Sequence, residues 1–494
     1  MKRGAKLAII IVCVLLAALV AAIIIVNVGE GKTPKGPDTK GSITYFYDAE
    51  QTVTRFAVND EMLENYIAGT VDTYITVDGS VALVRAGTGL YRVDSEGVLM
   101  IYPAAVQRAV LSLDNKHILF CTVTQAFVYD HETGELTEIE GLGAKNVLNL
   151  AISPSGETFG VTVVDDAGVA KTYVYRNGEL KMLNADSCLI AISDDGEFAY
   201  YMEALGRELT GRLFAVKNGE DSLIAENVSS YFEINNDLSE ITFDIKEKTH
   251  YSVNGKPAKQ LADASILMSA KGCFSSMGGD GCPVLLRDLN TIFNCVYYTY
   301  YTVENANSQT MNAYSLYYVS GAHKATLLVE GAVRFSVNAE RDSVLCIVDG
   351  DLYKVTSYAP NRPTLIARSV HSFTATDDFE DIYVLDQYAR LAYIDGAKST
   401  SLAANVSSCM ITKDGICLFV TDYEDNEGSL KWAKGTEIGD IADGVYNFET
   451  YAGITFYYAA TDESEEKGVF SVYMSNDSKK FELAVEKAQL KKSE

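Results

Sequence analysis

The sequence predicts an all-β chain of repeated four-stranded units behind one apolar N-terminal helix. Three observations predict it: an unbroken apolar run near the start, a bias towards strand-favouring aromatics, and a turn that returns at intervals of 36 to 42 residues. The chain has 494 residues, 48% of them hydrophobic and 22% charged, which suits a folded protein with a sizeable core. It holds 31 tyrosines and 19 phenylalanines against eight prolines. Tyr and Phe pack well on a pleated surface, so the composition leans to β structure.

The first element is the apolar run from Leu7 to Val26, built only of Leu, Ala, Ile, Val and Cys. At about 1.5 Å per residue it matches the hydrocarbon thickness of a bilayer, and it is longer than the apolar stretch of a cleaved signal peptide. Lys2, Arg3 and Lys6 crowd its N-terminal flank, so the positive-inside rule puts the N-terminus in the cytoplasm and the bulk of the chain outside. The expected layout is a cytoplasmic tail (1–6), a transmembrane signal anchor (7–27), a flexible linker rich in Gly, Pro, Lys and Thr (28–42), a large extracytoplasmic domain (43–489) and a short tail (490–494).

The repeats come next. Ala151-Ile152-Ser153-Pro154-Ser155-Gly156-Glu157 returns 40 residues on as Ala191-Ile192-Ser193-Asp194-Asp195-Gly196-Glu197, and Asn227-Val228-Ser229-Ser230 returns as Asn405-Val406-Ser407-Ser408. Each unit opens with a short apolar strand that ends in a small polar residue: Thr76, Ser112, Ser153, Ser193, Asn235, Asn338, Thr376, Thr412 and Thr450. Such side chains bond nearby backbone and start turns. Gly79, Gly156, Gly196 and Gly415 follow where a positive φ is needed. A second apolar strand follows, then a third carrying an aromatic, as in Leu90-Tyr91, Leu213-Phe214 and Leu352-Tyr353, then a fourth. Four short strands in about 40 residues are the signature of a β-propeller blade.

The S-P-S-G-E and S-D-D-G-E turns resemble the turn between the first two strands of TolB-like and WD-repeat-like propeller blades. No Trp-Asp dipeptide closes a unit, so the pattern departs from true WD repeats. The resemblance spans most of 43–489 and implies a fold, not an activity. Nine turn residues are visible, and the 103-residue gap between Asn235 and Asn338 has room for a tenth unit. The expectation is therefore about 8–10 four-stranded units in one large or two rings, preceded by a hairpin over 43–58 and interrupted by an irregular insertion over 264–296.

Charge narrows the partners. Three of the 41 basic residues precede the apolar run, so the remaining 38 face 67 acidic groups, a net charge of −29. Such a surface repels phosphate backbones and argues against nucleic acid. The sequence has no G-x-S-x-G elbow, H-x-x-x-H or C-x-x-C, its five histidines are scattered, and no cofactor or catalytic residue is expected. Candidate Ca²⁺ oxygens come from Asp422, Glu424 and Asn426 in one acidic loop; a solvated hairpin tip is the alternative. Cys273 and Cys282 flank a Gly-rich loop and are the candidate disulfide, while Cys121, Cys188, Cys295, Cys346, Cys409 and Cys417 fall on expected strands as small buried thiols. Tyr297, Tyr298, Tyr300 and Tyr301 form the densest aromatic run and the candidate binding surface, although consecutive strand residues alternate faces.

The function expected from these features is a non-catalytic binding or scaffold module. It would be tethered at the cell surface and hold a protein, peptide or cell-wall glycan. The alternatives are an extracellular propeller enzyme, a hydrolase or lyase, and a sensory ectodomain.

Overall fold

The computed structural model describes the backbone from Ile43 to Glu486, apart from residues 49–52, 59–60, 77–78, 143–145, 186, 204–209, 270–272, 275–283, 305–309, 361, 397, 413–414, 425–426, 452–453, 461–468 and 477–478. Beyond residue 448 only the backbone is described. The chain divides into two compact units, 1–40 and 41–494. The apolar run of residues 7–26 lies outside the described residues. Among those described, no helix is long and apolar enough to cross a membrane.

All regular structure among the described residues is β. A three-stranded antiparallel sheet (43–68) comes first, one strand more than the expected hairpin. Ten four-stranded antiparallel units follow among the described residues: unit 1 (70–102), 2 (108–138), 3 (146–185), 4 (187–226), 5 (228–260), 6 (267–332), 7 (334–367), 8 (370–403), 9 (406–443) and 10 (445–486). The arrangement is consistent with propeller-type repeats. Two strands of 15 residues, Glu220–Ile234 and Glu437–Tyr451, serve two units each, ending one meander and opening the next.

The recurring turn is one hydrogen-bonded device. In unit 4, the Ser193 N–H donates to Phe198 O (2.9 Å), the Gly196 N–H returns to Ser193 O (3.0 Å), and the Phe198 N–H donates to Ser193 Oγ (3.0 Å). The same three bonds recur at Thr76, Ser112, Ser153, Asn235, Asn338 and Thr376, and at Thr412 with the loop one residue shorter. Thr450 differs: it stands inside its strand, opposite Thr455. The third residue after the turn residue always has a positive φ. It is glycine in units 1, 3, 4 and 9, but Asn115 (62°), Leu238 (60°), Arg341 (63°) and Phe379 (61°) in units 2, 5, 7 and 8. Leu238 and Phe379 are buried there, so apolar packing offsets the cost of a left-handed L-residue.

Two further regularities shape each unit. The register of the third strand against the fourth slips immediately after one leucine: Leu90, Leu213, Leu316, Leu352, Leu391 and Leu430. All six are 0% exposed. A bulge at that point increases the local twist of the sheet. At the corner between units, a left-handed residue precedes a buried valine in Asn227-Val228, Ser369-Val370, Asn405-Val406 and Gly444-Val445. The Asn-Val-Ser-Ser echo of the sequence is this corner.

The core lies between consecutive units. One apolar cluster runs through units 1 to 5. Others join 5 with 6, 6 with 7, 7 with 8, 8 with 9 and 9 with 10. The three-stranded sheet packs on unit 1 through Ile43, Phe56 and Ile67. A lone four-stranded sheet has two apolar faces and can cover them only with neighbours. Polar links run the same way. Leu113 N–H donates to Pro154 O (2.9 Å), Ala339 N–H to Asp377 O (2.7 Å), and Asn149 Nδ2 to Leu189 O (2.7 Å).

Candidate functional site

The expected insertion over 264–296 is where the regular stacking changes, and the candidate site gathers beside it. Leu267–Met268 supplies the first strand of unit 6, so the segment is not wholly an interruption. Val284–Arg287 runs parallel to the opening strand of unit 5, with Phe232 beside Val284 and Ile234 beside Leu286. This places Arg287 against Glu233, at 2.9 Å from Nη2 to Oε1, with both side chains about 95% or more buried. The Tyr231 hydroxyl (3.3 Å) and the Met268 N–H (3.3 Å) donate to the same Oε1, and Oε2 has no hydrogen-bond partner. Burial raises the Glu233 pKa against the opposing pull of Arg287. A buried pair like this is intolerant of losing one partner, because the other charge is left uncompensated. The sequence signal was a lone glutamate in the apolar strand Phe232-Glu233-Ile234; its partner was not legible, because it stands 54 residues away across irregular chain.

Unit 6 supplies the aromatic surface. Cys295–Glu304 and Thr310–Val319 pair over their full ten residues each, longer than the strands of most other units. The half nearest Cys295 is core and the far half runs out into solvent. Tyr297 is 0% exposed and donates to Ile292 O (3.0 Å), so it belongs to the core and not to the expected surface; alternation of faces turns it inwards. Tyr298 is half-buried in an aromatic triad with Tyr314 (6.0 Å) and Phe335 (5.5 Å). Tyr300 (60%) and Tyr301 (39%) are exposed, beside Met311 (37%) across the hairpin. Of the four tyrosines, these two are accessible, one on each face of the protruding hairpin.

The remaining candidates lie elsewhere. Asp422 is exposed on the second strand of unit 9, with φ 53°; its N–H donates to Asn405 O (3.0 Å) and its Oδ1 accepts from Asn405 Nδ2 (3.0 Å). Its carboxylate thus fastens the corner between units 8 and 9. Glu424 ends that strand, exposed, and Asn426 lies outside the described residues. Cys273 opens the short strand Cys273–Phe274, its side chain is not described, and Cys282 lies outside the described residues. The histidines stand apart: His117 faces Asp130 (3.9 Å), His131 faces Asp94 (3.5 Å), His250 stacks on Phe243, and His323 packs on Tyr251 and Phe293. His371 is exposed on the first strand of unit 8.

Among the described residues, these features define an all-β repeat protein with an aromatic rim and a buried charged junction beside it. No known protein family matches the chain, and no curated protein does. Among solved structures, it is similar to the extracellular domain of a putative one component system from B. thetaiotaomicron at 8% identity, over 90% of this chain and 76% of that one (TM-score 0.30). It is similar to PorZ, a surface component of the type-IX secretion system of Porphyromonas gingivalis, at 9% identity over 88% and 64% (TM-score 0.32). It is also similar to TolB from Acinetobacter baumannii, at 15% identity over 50% and 67% (TM-score 0.29). Likenesses this distant carry no argument about function.

Proposed function

We propose that the chain is a membrane-anchored, extracytoplasmic propeller-type module that binds a protein, peptide or cell-wall glycan without transforming it. The observation that carries this reading is the rim of unit 6. There a ten-residue strand pair leaves the core and presents Tyr300 and Tyr301 to solvent. Tyrosines are large, flat and amphipathic, with few rotors to freeze on binding. The core of unit 6 does not use them, so stability does not explain their presence. The apolar run of residues 7–26 and its basic flank support the anchor, with the acidic bulk of the chain outside.

The test is retention on the immobilised full chain in detergent, with envelope extract in one arm and purified cell-wall glycan in the other. The wild type should retain a partner in one arm that Tyr300→Ala/Tyr301→Ala loses at least tenfold. Equal retention by the two proteins, or none above a bait-free control, overturns the proposal.

A further inference from the structure

Among the described cysteines, one pair stands together. The strands Val406–Ile411 and Cys417–Glu424 open unit 9, with Cys409 opposite Phe419 and Ile411 opposite Cys417. Cys409 and Cys417 are therefore diagonal neighbours on one face of the sheet. The two differ in access. Cys417 is 0% exposed, whereas Cys409 is half-buried, between the exposed Ser408 and Met410.

We propose that Cys409 and Cys417 form a reversible disulfide across the first two strands of unit 9, making this unit a redox-modification site.

The chemistry divides cleanly between them. Cys409 is held below the usual thiol range, first by the neighbouring Cys417 thiol and then by the Arg334 guanidinium. Cys417 is held above it, first by Cys409 and then by burial. Cys409, the sulfur that solvent can reach, is thus the one that attacks, and the buried Cys417 the one that resolves. The Cys409 thiolate attacks one sulfur of a small-molecule disulfide and expels the other half as a thiolate, leaving a mixed disulfide. Cys417 then gives up its proton to solvent and attacks Cys409 Sγ, expelling the second half. Two protein thiols become one S–S bond, and the oxidant becomes two thiols.

Three of the four other buried cysteines that are described are held up by burial. Burial pushes Cys121 up to about 11, and Cys295 and Cys346 up to about 12; the three stand on units 2, 6 and 7. Diagonal strand neighbours have Cα atoms about 7–8 Å apart, wider than a relaxed disulfide accepts. Closing the bond therefore draws the two strands together locally, and that displacement favours reopening under reductant.

The experiment treats the full chain in detergent with oxidised glutathione, blocks free thiols in acid, and maps tryptic peptides before and after reduction. Lys413 separates the two cysteines, so the bond appears as peptides 399–413 and 414–431 joined until reductant is added. The expected result is that linked pair, and in Cys417→Ser a glutathione adduct trapped on Cys409. Recovery of Cys409 and Cys417 as unlinked peptides from the wild type overturns the proposal. Should Cys417→Ser not fold, native alkylation of the reduced wild type decides the same point. Cys409 should be labelled at least tenfold faster than Cys121, Cys295 and Cys346, and equal rates would contradict its role.

Discussion

Tyr200 and Tyr383 each stand seven residues after their turn residues, Ser193 and Thr376, and both are fully buried. Each phenol reaches the next unit at the same place. Tyr200 donates to the carbonyl of Leu238 (2.9 Å), and Tyr383 to that of Gly415 (3.3 Å), the left-handed residue of the following turn in both cases. The hydroxyl of Tyr383 also accepts from the Gly435 N–H (2.8 Å). Phenylalanine keeps the ring and its packing but strands these backbone groups. A buried hydrogen bond contributes about 1 kcal/mol, and a buried group left unpaired costs about 1–3 kcal/mol. Tyr383→Phe and Tyr200→Phe should therefore each destabilise by about 1–3 kcal/mol, as read from urea midpoints at unchanged slope. The sequence showed these tyrosines as strand residues but not as links, because the carbonyls they meet lie 32 and 38 residues away.

At the scale of the element, the turn was legible from sequence because its chemistry is local. The side chain that takes the returning N–H must be Ser, Thr or Asn, and eight such turns appear where those residues do. Half of the left-handed positions were not legible, since Leu238, Arg341 and Phe379 carry no signal for a positive φ and Asn115 only a mild one. The corner valines and the bulge after the third-strand leucine were likewise hidden. Their meaning depends on which residues are buried once the units stack.

The turn also carries a pH dependence. Asp195 is held below its ordinary value of 3.8, first by the Ser193 hydroxyl and then by the Glu197 N–H. Asp378 is held down in the same way by Thr376 and the Glu380 N–H. A carboxyl whose pKa is lowered by folding stabilises the fold when ionised. That contribution is complete above the unfolded value and is lost as pH falls through the folded one. Between pH 7 and pH 3, the wild type should lose more stability than Asp195→Asn/Asp378→Asn. Parallel losses in chemical denaturation at the two pH values would count against this account of the turn.

At the scale of the whole molecule, the architecture was legible and the junctions were not. A period of about 40 residues announced the four-stranded unit, and the 103-residue gap held the extra one as unit 6. The merging of units 4 with 5 and 9 with 10 through shared strands left no mark in the pattern, because a corner in a continuous strand needs only one left-handed residue. The rim was half legible: the tyrosine run was visible, but which of its members face solvent depended on where the core of unit 6 ends.

Stacking of successive units is the claim on which the rest stands, and the contact between Gly160 and Leu189 exposes it to measurement. Gly160 lies on the second strand of unit 3 and Leu189 on the first strand of unit 4, and a Cβ on Gly160 would fall 1.9 Å from Leu189 Cδ2. Overpacking of this kind costs about 1–3 kcal/mol. Truncating a buried leucine to alanine costs about 2–5 kcal/mol. If the faces meet, Leu189→Ala makes room for the new methyl, and the two losses overlap. A double-mutant cycle on Gly160→Ala and Leu189→Ala, read by equilibrium urea unfolding, should find the double variant more stable than the summed single losses by at least about 1 kcal/mol. Strict additivity would mean that these two units do not pack face to face, and the stacked architecture would fall with it.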